Sequence, residues 1–265
     1  MIRALPRLAV ALAALLLSVD ALAQGFAVLA SPPRIEASAR PGQTYRDVVE
    51  LTNTSSGATA LTVRSADWTL DPAGSAAFDP ALAEGSCRPW VGIEAHRFEL
   101  APGGKRRYRF EVAVPADAPQ GECRFALMFE GAPETAPGAM PVPVSGRLGI
   151  IVYLAIGDAA SRLSLTGSHV SSVQGQTLPV LEIRNDGDAH GRLDGYLDGV
   201  DADGRRMTFA PATLPILPGE TRAIALAPVL DDSGTPAPAI RYPLVLKGHL
   251  DAAGQRIGID ATVAP

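Results

Sequence analysis

Aromatic residues make up only 5% of this 265-residue chain, and it holds four histidines and two cysteines. The histidines, His96, His169, His190 and His249, are scattered. None has a nucleophile and an orienting acid close in sequence, and no Gly-x-Ser-x-Gly elbow is present, so hydrolytic catalysis has no visible machinery and the chain is read as a non-enzyme. Positive charge is scarce as well. The formal net charge is −5, which argues against nucleic acid as a partner, because phosphate binding needs a concentrated basic surface. Cys-x-x-Cys is absent, so a redox pair or thiolate metal site is poorly served, and no cofactor is expected. Long apolar runs are missing after the first two dozen residues, which leaves no other stretch able to span a bilayer of about 20 residues.

The one apolar run, Leu8 to Val19, follows Arg3 and Arg7 and precedes Ala21-Leu22-Ala23, the pattern of a secretory signal cut before Gln24. Removing residues 1–23 of 265 leaves 242, enough for two domains of ordinary size. Export makes the even cysteine count meaningful. In an oxidising compartment Cys87 and Cys123 are expected to form a structural disulfide, and the destination is expected to be the periplasm.

Glycine (26) and proline (23) are plentiful, and they punctuate short alternating segments. Phe26 to Ile35 reads as an edge strand interrupted by Pro32 and Pro33, since proline removes a ladder donor. Strands follow over Tyr45 to Asn53, Ala60 to Leu70, Trp90 to Ile93, Phe98 to Leu100, Lys105 to Val114 and Glu122 to Phe129, separated by turns such as Asp71-Pro72-Ala73-Gly74. About seven short strands in roughly 130 residues is the pattern of an immunoglobulin-like sandwich. The last is the longest: from Met140 to Gly157, Val142, Val144, Leu148, Ile150, Val152, Leu154 and Ile156 fall on alternate positions.

The second half repeats the first. VELTNTSSG (Val49 to Gly57) is echoed by LEIRNDGDA (Leu181 to Ala189), FELAPGGKRRYRF (Phe98 to Phe110) by PILPGETRAIAL (Pro215 to Leu226), and RFALMFEG (Arg124 to Gly131) by RYPLVLKG (Arg241 to Gly248). The expectation is therefore an all-β chain of two tandem immunoglobulin-like β-sandwiches, 24–157 and 158–265, after a cleaved signal peptide. The first copy carries an insertion of about 16 residues containing Cys87, by the unequal spacing of these echoes.

The segments PPRIEASARPGQTYRDVVELTN, FELAPGGKRRYRFEVAVPADAPQGECRFALM and SGRLGIIVYLAIG resemble the N-terminal domain of the periplasmic PapD-like pilus-assembly chaperones. The two-domain order is also similar to that of WxL-interacting surface proteins, whose first domain ends in a comparable Arg-x-x-x-x-x-Tyr strand. The chaperone resemblance implies a closing strand that lends alternating hydrophobic side chains to an incomplete pilin subunit, here Val142, Val144, Leu148 and Ile150. It also implies an Arg on the first strand and a Lys on the closing strand that hold the subunit's C-terminal carboxylate. Here Gly149 stands where the Lys belongs. The nearest cations are Arg34 and Arg147, read either as a shifted carboxylate anchor or as two solvated arginines.

Pro141 and Pro143 remove two N–H donors from one edge of the closing strand, which counts against strand donation. Lys105, Arg107 and Arg109 share one strand face, expected to be solvated. Asp186-x-Asp188-x-His190-Gly191 matches the start of an EF-hand loop, but Leu197 stands where the bidentate Glu is needed, so no metal is expected. Asp201-Ala-Asp203-Gly204 and Asp251-Ala-Ala-Gly254 read as hairpin turns. Two functions remain: a chaperone-like factor that holds a pilin-like or other surface subunit, and a cell-envelope scaffold or binding module. An unrecognised hydrolase stays as a residual third, because fold does not fix function.

Overall fold

The computed structural model describes residues 26–135, 143–230 and 239–265. Residues 1–25, which include the expected signal peptide, and Met140, Pro141 and Val142 lie outside the described residues.

The strands of the first half are β1 (Val28–Ser31), β2 (Arg34–Ala39), β3 (Thr44–Asn53), β4 (Thr59–Leu70), β5 (Ala76–Asp79), β6 (Val91–Ile93), β7 (Arg97–Leu100), β8 (Lys105–Ala113), β9 (Gly121–Gly131), β10 (Glu134–Thr135), β11 (Pro143–Val144) and β12 (Arg147–Ile156). One layer runs β1-β3-β8-β6 and the other β2-β12-β9-β4-β5, with β7 beside β4. Between them lies an apolar core in which Leu51, Tyr108 and Val112 face Leu61, Phe125, Phe129, Ile150 and Leu154, all nearly inaccessible to solvent. The expected edge strand from Phe26 to Ile35 is resolved into two, β1 on the edge of one layer and β2 on the edge of the other. Pro32 and Pro33 occupy the crossing, where no ladder donor is required.

The second half contains β13 (Leu163–Val173), β14 (Gln176–Asn185), β15 (Leu197–Val200), β16 (Arg206–Pro211), β17 (Thr221–Pro228), β18 (Leu244–Ala252) and β19 (Gln255–Val263). These form one ladder, β13-β14-β17-β16-β15-β18-β19, folded over its own core of Leu181, Phe209, Ile224, Leu226, Leu246 and Val263. The two ends of the ladder meet where the Gln255 amide donates to the Leu163 carbonyl (2.7 Å) and its carbonyl accepts from the Leu163 N–H (2.9 Å). The expected hairpin turns are present, Asp201 to Gly204 between β15 and β16, and Ala253-Gly254, both at positive φ, between β18 and β19.

The internal repeat survives down to single side chains. Asn53 ends β3 and Asn185 ends β14, and both are fully buried. The Asn53 amide donates to the carbonyls of Gly57, Leu100 and Ala101, while its oxygen accepts from the Ser55 N–H. Asn185 does the same at the equivalent places, donating to Ala189 and Ile216 and accepting from Gly187. Each asparagine ties the polar turn after its strand to the Leu-x-Pro-Gly or Leu-Pro-Gly segment beside it, so no buried carbonyl there is left unpaired.

The insertion forms β5, the loop after it and a single 3-10 turn, Arg88–Trp90. Two devices bind it to the sheet. Cys87 and Cys123 are disulfide-bonded, as expected, joining the loop to β9. Arg88 donates to Ser65 Oγ and O, Asp67 Oδ2, Ala81 O and Pro80 O. Burial works to raise the Asp67 carboxyl, but the Ala83 N–H, Ser86 hydroxyl and Arg88 guanidinium outweigh it and hold the group below the usual carboxylate range. On β8, Lys105, Arg107 and Arg109 are exposed and alternate with buried Tyr108 and Phe110, as the strand period requires.

Candidate functional site: an open strand edge beside the domain junction

The closing strand has one free edge. β12 pairs antiparallel with β9 along its whole length, from Arg147 opposite Glu130 to Ile156 opposite Gly121. On its other side β2 begins only at Ile151, which lies opposite Arg34. From Arg147 to Ile150, among the described residues, that side carries no strand. The Gly131 N–H donates to the Gly146 carbonyl (3.0 Å), which sets the alternation: Leu148 and Ile150 direct their backbone groups toward β9, and Arg147 and Gly149 direct theirs to the open side. Upstream, β11 continues the hairpin against β10, with Val144 opposite Glu134 and Pro143 opposite Thr135.

Of the four residues expected to offer side chains to a partner, Val142 lies outside the described residues and Val144 sits in β11. Leu148 and Ile150 require a correction. Ile150 is 1% exposed within the first core, and Leu148 packs against the same cluster. With a side-chain period of two, positions 148, 150, 152, 154 and 156 all take the inner face, so their alternation is that of a strand completing its own sandwich.

Arg34 and Arg147 are not brought together. Arg34 lies opposite Ile151, four residues beyond Arg147, which is about 13 Å along a strand. Each is exposed and engaged separately, Arg34 Nε with Glu36 Oε1 at 2.7 Å and Arg147 Nη1 with Glu130 Oε1 at 3.9 Å. The place of the expected Lys is also explained. A Cβ on Gly149 would come within 2.7 Å of Phe78 Cζ, because Phe78 of β5 lies across Gly149 and Met128 on the outer face of the sheet. The insertion has filled the space a cation would use. Gly149→Lys is therefore expected to destabilise the first sandwich by about 1–3 kcal/mol through overpacking, with partial recovery in Gly149→Lys/Phe78→Ala; thermal melting of the three proteins checks this. Equal stability of the parent and the single variant would mean Phe78 is free to move away.

Next to this edge the two halves touch through side chains that the sequence reading did not join. Glu122 on β9 accepts from both the backbone N–H (3.1 Å) and Nδ1 (2.5 Å) of His190. The His190 ring stacks on Tyr153 of β12 at 3.8 Å. Arg192 reaches Glu36 of β2 (3.2 Å) and the Tyr153 hydroxyl (3.3 Å), and donates to the Thr213 carbonyl. Burial tends to raise the Glu36 carboxyl, but Arg34, His190 and Arg192 together hold it below its ordinary value. Burial pushes the Tyr153 hydroxyl up. A second contact is made by the β4–β5 turn, where buried Arg222 donates to the Asp71 carbonyl (2.9 Å) and Gly74 lies against Leu214. The partners in the contacts between the halves are between 37 and 156 residues apart, the Tyr153–His190 stack being the nearest and the Glu36–Arg192 pair the most distant. No local pattern links them.

The geometry is that of an all-β protein of two sandwiches with an open strand edge at their junction. No known protein family matches the chain's sequence. No curated protein matches it either. Among solved structures it is similar to the CupB2 chaperone of Pseudomonas aeruginosa, at 11% identity and a TM-score of 0.46 over 89% of this chain and 100% of that one. It is also similar to the E. coli chaperone DraB, at 13% identity and a TM-score of 0.45 over 90% and 97%. A third is the structure of Salmonella enterica SafA pilin in complex with the SafB chaperone, at 12% identity and a TM-score of 0.47 over 89% and 97%.

Proposed function

We propose that this is an exported, non-enzymatic periplasmic protein that acts as a chaperone-like factor in assembling a pilus or another surface structure. The observation that carries the reading is the open side of β12 at Arg147 to Ile150, where the backbone groups of Arg147 and Gly149 face outward beside the β10–β11 hairpin. An unpaired edge next to a paired strand is the template for β-strand addition, in which main-chain hydrogen bonds supply affinity and side-chain pockets supply specificity. A subunit that lacks a strand would add along this edge, with Val142 and Val144 as the candidate contacts and the domain junction limiting how far it extends.

The second reading, a two-domain envelope scaffold, is favoured by Pro143 within β11, which removes one backbone donor from the hairpin extension.

In-cell crosslinking from a photoreactive residue at position 144 separates the two. Capture of one exported subunit with an incomplete β-domain, lost in Val144→Asp and in Arg147→Pro, is the expected result. Arg147→Pro removes an N–H on the open side and leaves the β9 ladder whole. Capture of cell-wall or outer-membrane components, or none while other surfaces of the protein crosslink, would leave the scaffold reading in its place.

A further inference from the structure

The open edge of β12 carries a charge pattern in addition to its free backbone. Arg147 stands at the start of the gap, and Arg34, the first residue of β2, stands at its end. Both lie on the outer face of the layer. On β2 the exposed Arg34 and Glu36 alternate with buried Ile35, and on β12 Arg147 precedes Leu148 and Ile150, which take the inner face. The Arg34 and Arg147 side chains are 51% and 63% exposed, so both can reach a partner. They stand about 13 Å apart along the strand, with Gly149 between them.

Their countercharges are already shared. Arg147 Nη1 reaches Glu130 Oε1 at 3.9 Å, but Arg64 Nη2 holds that same oxygen at 2.6 Å. Arg34 Nε donates to Glu36 Oε1 at 2.7 Å, and Arg192 Nε donates to that oxygen at 3.2 Å. In these pairings four guanidiniums divide two carboxylates, two against one at each end of the gap, in a chain whose net charge is −5. A strand that continues the line of β2 into the gap directs alternate side chains outward about 7 Å apart, so one or two fall between the guanidiniums of Arg147 and Arg34. A carboxylate there is attracted by both, an amide is indifferent and an ammonium is repelled. Inward side chains of the same strand meet Leu148 and the Phe26 ring, which lies across Gly131 and Gly146, and are therefore apolar.

We propose that the open edge selects a protein segment in which acidic side chains alternate with apolar ones. The inference rests on the strand-addition reading above and adds to it the chemistry of the partner: aspartate or glutamate at the outward positions, attracted by Arg147 from one end and Arg34 from the other. The separation that prevents these two arginines from clamping a single carboxylate lets them read side chains along a strand.

Three nine-residue peptides, acetylated and amidated at their ends, carry valine at alternate positions and aspartate, asparagine or lysine between. Fluorescence anisotropy reads their binding to the full chain. The aspartate peptide is expected to bind with a Kd on the order of 100 μM. In low salt that is about tenfold tighter than the lysine peptide, with asparagine between them, and the difference shrinks to about twofold in roughly 0.5 M sodium chloride. In Arg147→Glu the advantage of aspartate over lysine falls to about threefold or less, and Arg34→Glu added to it reverses the order. Arg107→Ala, on the solvated face of the other layer, keeps the parent's order, and circular dichroism melting establishes that the variants fold. Equal binding of all three peptides, or an undiminished preference in Arg147→Glu, would overturn the charge selection while leaving strand addition in place. A neutral peptide with a free terminal carboxylate that gains as much as the aspartate peptide would mean that the arginines read a chain end, which overturns it too. If no peptide binds up to about 1 mM, strand addition itself fails and this inference falls with it.

Discussion

Replacing Cys87 and Cys123 together with alanine is expected to destabilise the first sandwich by about 4 kcal/mol. The bridge closes a loop across a sequence separation of 36, and loop-closure entropy for a segment of that length has this size. The separation also spans the part of the chain with the weakest ladder support, since β5, β6 and β7 are short edge or side strands. Calorimetry or circular dichroism should show the transition of the first half falling by roughly 10–15 °C, and the same shift in the parent protein under reductant. The second half carries no cysteine and is expected to melt unchanged. A fall of only a few degrees would mean that the five hydrogen bonds of Arg88 already hold the insertion and that the bridge is redundant.

Asn53→Ala and Asn185→Ala are expected to cost about 3–4 kcal/mol each, and to do so in different halves. Each side chain is fully buried and serves two or three backbone carbonyls with its amide and a turn N–H with its oxygen. Removal leaves at least two buried backbone groups without partners, at about 1–3 kcal/mol for each group, and the turn segment loses its tie to the neighbouring strand. Asn53→Ala should lower the transition of the first half and Asn185→Ala that of the second. If each variant lowered both transitions equally, the junction formed by Glu122, His190, Tyr153 and Arg222 would be coupling the halves into a single cooperative unit.

The fold was legible to a considerable depth. Alternation between Lys105 and Ala113 placed three cations outside and Tyr108, Phe110 and Val112 inside. Asparagines ending a strand in each half announced the repeat, and the structure gives them the same hydrogen bonds. The proline pair after Ser31 marked an edge, although not that the edge passes from one layer to the other.

The candidate site was legible only in outline. Strand period identified β12 correctly and then misdirected its use, because alternation records that one face is buried and not what buries it. Leu148 and Ile150 fit a partner's groove and their own core equally well on paper. Arg34 and Arg147 are open on paper to either reading, a shifted carboxylate anchor or two solvated arginines, and only the parallel register of β2 on β12 sets them about 13 Å apart.

The sequence by itself determined the class of fold, the repeat, the disulfide and the solvated faces. Each of these follows from rules local to a few residues: side-chain period, turn chemistry and the even cysteine count. Tertiary structure alone decided that β12 is open at Arg147 to Ile150, that Phe78 lies on Gly149, and that His190 meets Glu122 and Tyr153. Those facts depend on strand register and on how one sheet face is covered, and contacts between residues dozens of positions apart leave no periodic trace in the chain.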